Sequence, residues 1–207
     1  MERPSLLRRA LALSVVSIVL NGVLGGIAVV VGLATQSVSL LGFGLDAAID
    51  SIASIVLVWR FRTEVREPHR AERIERIAER AVGLVLIGVA VYLAVTALVA
   101  LANGTHPEAS PVRAALLLIA LVALPPLAYA KYRTARDLGS GALRADSILT
   151  AIAALLALIG LVSLVLDELA GVVWADAVGA LVIAVIVARE GWSSVRAAAG
   201  HASISAQ

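Results

Sequence analysis

The chain has 207 residues, 60% hydrophobic and 15% charged, with 17 Lys and Arg against 15 Asp and Glu and a mean hydropathy of +0.96. That balance leaves too little polar surface for a water-soluble domain, so the expected fold is an all-α polytopic membrane protein: one transmembrane domain and no separate soluble one. Cysteine is absent, which excludes disulfides and thiolate metal sites and restricts any metal site to oxygen or imidazole ligands.

Six apolar runs follow one another, at 11–33, 38–59, 81–102, 112–130, 143–165 and 171–188. Each is close to the ~20 residues that a spanning helix needs, which predicts a six-helix bundle. The first run is too long for a signal peptide's apolar stretch and has no small-residue cleavage site after it, so a retained helix is expected. With six spans, 16 of the 17 basic residues, all but Arg113, fall on one face. Basic loops stay in the cytoplasm, so both termini are expected there, in a protein of the cell membrane, bacterial inner or plasma membrane. The positive charge then belongs to loops facing lipid headgroups, and nucleic acid is not an expected partner.

In the first run, Asn21 is an isolated amide, and Gly22 and Gly26 form a small-xxx-small pair that permits close helix approach. The second run carries Asp46 and Asp50, four residues apart and hence on one helix face, near the middle of the bilayer. Each charge costs about 2.5–3.5 kcal/mol at that depth, so the pair requires a reason. Two such carboxylates repel when ionised, and without a partner at least one is expected to hold a proton near neutral pH. A divalent cation relieves the repulsion and displaces the proton, which makes the pair a natural exchange site for metal and H⁺. The plainer alternative is a hydrogen bond from each Asp to a Ser, Thr or Asn on a neighbouring helix.

The segment 61–80 is dense in both charges, with Pro68 at its middle; after it, apolar residues at helical spacing predict that the third helix begins in the cytoplasm. Its charges are expected to be solvated. Asn103-Gly104-Thr105 reads as a turn, and Pro125-Pro126 should loosen the fourth helix. Asp146 opens the fifth span, where it is either a site residue or a complement to the helix dipole and Arg144; Asp176, in the first turns of the sixth, suits the dipole. His69, His106 and His201 fall in loops or the tail. No catalytic triad, phosphate loop or metalloprotease helix is visible, so an enzyme is not expected.

Residues 37–51 (SVSLLGFGLDAAIDS), 143–147 (LRADS) and 174–177 (WADA) resemble, in order and spacing, helices two, five and six of the cation diffusion facilitators. That resemblance implies a six-helix secondary transporter exporting a divalent metal, zinc first and otherwise manganese, iron or cobalt, in exchange for protons. It implies metal ligands at Asp46, Asp50 and Asp146, no cofactor beyond the transported ion, and a homodimer formed through the membrane helices. The family's fifth helix usually adds a His and an Asp, and here those positions hold Leu149 and Ala153. Water, Asn21, Thr150 or Asp146 would then complete the site. The chain also ends about 19 residues after its last apolar run, as in a short branch without the family's C-terminal cytoplasmic domain. A different class of function stays open: a non-transporting membrane subunit whose intramembrane acids only join helices, with 61–80 docking a partner.

Overall fold

A computed structural model of the chain describes residues 3–35, 38–67, 70–104, 110–171 and 174–204. They form six helices: α1 (Arg3–Thr35), α2 (Val38–Arg66), α3 (Ala71–Asn103), α4 (Pro111–Leu138), α5 (Gly141–Ala170) and α6 (Ala175–Ile204). All six are long and apolar enough to cross a membrane, so the expected six-span all-α bundle is what the chain forms. Pro68, His69, Thr105, His106 and the side chain of His201 lie outside the described residues.

The helices extend beyond the apolar stretches, and three of them end on glycine caps. Gly104, Gly139 and Gly171 adopt the left-handed conformation after α3, α4 and α5, at φ of 62°, 69° and 62°, and their N–H groups return to carbonyls of the last turn. Gly171 caps α5, and α6 starts at Ala175, four residues later than the sixth apolar run. At the other end of α5, the Ser140 hydroxyl accepts from the Leu143 N–H at 3.1 Å. The helix of α4 continues through Pro125 and Pro126.

The most extensive packing is between α1 and α2, α3 and α6, and α4 and α5. Close approach of α1 to α2 depends on Gly25 and Gly44: a Cβ on Gly25 would come within 2.7 Å of the Ala47 Cβ, and one on Gly44 within 3.1 Å of the Gly25 carbonyl oxygen. The pair singled out from the sequence, Gly22 and Gly26, has nothing within 4 Å and faces outward. Large apolar side chains such as Val30, Leu33, Val122, Leu169 and Val185 are exposed around the bundle, the pattern expected when the solvent is lipid.

The bundle end that carries the α2–α3 and α4–α5 connections is tied by buried charges. Arg60, 2% exposed, lies between Glu64 (2.9 Å) and Glu75. Arg3 reaches Glu64 at 2.6 Å, while Glu75 accepts from the Ser140 hydroxyl and the Ala142 N–H, each at 2.9 Å. The expectation of a solvated 61–80 segment therefore needs correction at Glu64 and Glu75: side chains there join four helices, because α2 and α3 continue past the apolar runs and face each other across Arg60.

Candidate cation site

Asp46 and Asp50 stand one turn apart on α2, where Gly44 and Ala47 bring the helix close against α1. Both line a cavity of about 800 Å³ that occupies the bundle half nearer the α1–α2, α3–α4 and α5–α6 connections. Asn21, Tyr92 and Thr96 contribute its other polar surface, together with Arg113 and Asp176. The α5 wall is apolar, made by Leu149, Ile152, Ala153 and Leu156. The two α5 positions at which the resemblance implies a His and an Asp thus reach the right cavity but bring no ligand atom to it.

Among the described residues, neither Asp46 nor Asp50 has a hydrogen bond or an ion pair. Two hydroxyls nearby are committed elsewhere: Ser51 donates to the Ala47 carbonyl at 2.8 Å and Thr96 to the Tyr92 carbonyl at 2.9 Å. The interhelical hydrogen bonds offered as the plainer alternative are not formed by this pair.

Asp146 is placed differently. It is buried behind the cavity, its Oδ2 2.6 Å from the Lys131 Nζ and its Oδ1 accepting from the Ser54 hydroxyl at 3.3 Å. Of the alternatives for completing the site, Asn21 is on the cavity wall, whereas Thr150 is held by Lys131 at 3.0 Å and donates to the Asp146 carbonyl. No group of three or more His, Cys, Asp or Glu converges to hold a metal ion among the described residues, so Asp46, Asp50 and Asp146 are not assembled as one three-carboxylate cluster. Asp176 is in the first turn of α6, as expected, and also faces Arg113 at 3.8 Å.

Lys131 and Arg113 are the residues that sequence reasoning missed. Both read as basic ends of an apolar run. Yet Arg113, Leu116, Leu117, Ala120, Leu124, Leu127, Ala128, Lys131 and Thr134 recur at helical spacing, and that is the buried face of α4. The periodicity carried the signal.

Two carboxylates on adjacent turns offer up to four oxygens to a cation, with water and the Asn21 amide within the same cavity to fill further positions. A family model described as the cation efflux transmembrane domain matches residues 14–200, from α1 into α6 and across every residue of this site. The chain belongs to the cation efflux family and is a multi-pass membrane transporter of divalent cations, not an enzyme.

Proposed function

We propose that this transporter carries a divalent metal ion out of the cytoplasm in exchange for protons, with Asp46 and Asp50 as its ligands. Zinc is the first ion to test, followed by manganese, iron and cobalt. The observation that carries the reading is that, among the described residues, both acids face the cavity without a hydrogen-bond or ion-pair partner, while the Ser51 and Thr96 hydroxyls donate to backbone carbonyls instead. Two unpartnered carboxylates at bilayer depth are costly in a merely structural role, and a cation that neutralises them removes the cost. Exchange with protons is inferred from the ligands: both must be deprotonated to hold a metal, so metal entry expels protons and proton entry expels metal.

With the basic residues on the cytoplasmic side, the cavity leads from Asp50 toward the external face, and the buried Arg60 cluster closes the cytoplasmic end. Direction and coupling are tested by loading proteoliposomes with a divalent-ion indicator and applying Zn²⁺, Mn²⁺, Fe²⁺ or Co²⁺ with and without a pH gradient. Flux that a pH gradient accelerates, and that Asp46→Asn with Asp50→Asn abolishes, is the expected result. Flux indifferent to both would overturn the reading.

A further inference from the structure

Lys131 is the sole lysine in the sequence and is wholly buried, 0% exposed, with Asp146 at 1%. Its ammonium is surrounded by three oxygens from two other stretches of chain: Asp146 Oδ2 at 2.6 Å and Thr150 Oγ1 at 3.0 Å on α5, and Ser17 Oγ at 2.7 Å on α1. An ammonium has three N–H groups, and three oxygens meet them. This cluster is next to the carboxylate pair. Ser54, which holds Asp146, is one turn beyond Asp50 on α2, and Asp50 interacts electrostatically with Asp46, Asp146 and Lys131 together.

We infer that Lys131 is a positioning residue of the transport site, a built-in counter-ion that withholds Asp146 from the metal and so fixes both the number of protein carboxylates and the charge that the metal meets. The inference rests on Asp46 and Asp50 being the ligands. Once metal has displaced the protons, three acids without the lysine would present a charge of −3 to a divalent ion; with it the cluster presents −2, which one divalent ion neutralises. Burial makes that difference large, since the charges interact through a medium of low dielectric. The lysine also offsets the cost of burying the Asp146 side chain behind an apolar wall. Retaining only two carboxylates favours release. A transporter must let its ion go, and a third carboxylate would hold it more tightly. The resulting ligand set is oxygen only, carboxylate completed by water, which discriminates against Mn²⁺ less than a site with imidazole would.

The experiment measures Mn²⁺ and Zn²⁺ affinity of the purified full chain in detergent at one pH, for the unmodified protein, Lys131→Met, Asp146→Asn, the double variant, and Asp46→Asn with Asp50→Asn. Lys131→Met frees Asp146 and removes a nearby positive charge, so metal should bind about tenfold tighter or more, and turnover in proteoliposomes should fall. Asp146→Asn leaves the ammonium acting on Asp50 alone, and affinity should drop about tenfold or more. The double variant removes both charges and should return to within about threefold of the unmodified protein. A merely structural ion pair would not tighten metal binding when broken.

If the double variant binds as weakly as Asp146→Asn, Asp146 is itself a ligand and the inference is wrong. It is also wrong if neither single variant changes affinity. Should Lys131→Met fail to fold, the comparison of Asp146→Asn with the double variant decides alone, because neutral replacement of both partners leaves no buried charge. Metal binding that survives Asp46→Asn with Asp50→Asn overturns the ligand assignment, whatever the lysine does.

Discussion

Arg113 on α4 and Asp176 on α6 hold their charged groups 3.8 Å apart on the wall of the cavity that contains Asp46 and Asp50. At that separation the attraction is Coulombic and not a hydrogen bond. It places a tethered cation in the space through which a divalent ion would pass, neutralised by an acid from the start of another helix. Together with the N-terminal dipole of α6, Arg113 accounts for the Asp176 carboxylate without a metal.

Asp176→Asn is therefore expected to keep metal affinity within about tenfold, or ~1.4 kcal/mol, when the purified protein is titrated with Zn²⁺ or Mn²⁺. A much greater loss would show that Asp176 binds the ion directly.

Hydropathy and the one-sided distribution of basic residues were enough to predict six spans, because both depend only on local composition. The paired acids were legible for the same reason: Asp46 and Asp50 interrupt an apolar run, and their spacing of four places them on one face. The role of Lys131 was not legible in that way. Its partner lies 15 residues away across the Gly139 turn, and the fourth apolar run ends just before it, so it read as a boundary residue in the cytoplasm. Arg60 misled similarly. It follows the second apolar run, yet the helix continues to Arg66 and meets α3 across Glu75. What hydropathy cannot carry is the pairing of charges between helices, which cancels the cost that would otherwise keep them out of the bundle.

The Arg60 cluster gives a prediction about stability. Arg60 and Glu64 are each 3% exposed at the side chain, so Arg60→Met would leave the buried Glu64 with Arg3 alone and the half-buried Glu75 without its cation. Breaking a fully buried pair on one side costs about 3–5 kcal/mol, and the Arg3–Glu64 pair and the exposure of Glu75 keep the loss here toward or below the lower end of that range. Arg70→Met is the comparison, since its pair with Glu67 at 3.0 Å is exposed and worth less than about 1 kcal/mol. Unfolding of the two variants in a denaturing detergent series should separate them clearly. Equal stability would mean that the cluster is not held together by Arg60.

Topology can be tested independently of metal, and the absence of native cysteine makes the measurement clean. In intact cells, Asn103→Cys at the end of α3 and Glu168→Cys near the end of α5 should react with an impermeant thiol reagent. Arg70→Cys, at the start of α3, should react only after the membrane is opened. Labelling of Arg70→Cys from outside would reverse the orientation and with it the proposed direction of transport.

The decisive prediction concerns the two acids that have no hydrogen-bond or ion-pair partner among the described residues. Asp46→Asn and Asp50→Asn preserve side-chain shape and remove charge, and since neither carboxylate is tied to another helix, each variant should remain folded and inserted. If the pair binds the metal, either change should weaken metal affinity by more than about tenfold, because half of the protein's ligand oxygens lose their charge. The pH dependence has a fixed sign. Protons and metal compete for the same oxygens, so affinity in the unmodified protein should fall as pH is lowered. In either single variant only one carboxylate remains for protons to occupy and the repulsion between two is gone, so the slope of affinity against pH should be shallower. Titrations of the unmodified protein, both single variants and the double variant between about pH 6 and 8, with circular dichroism to verify folding, provide the comparison. Undiminished metal binding by the double Asn variant, with the same pH slope, would show that the cation passes by another route and that the pair on α2 serves only the bundle.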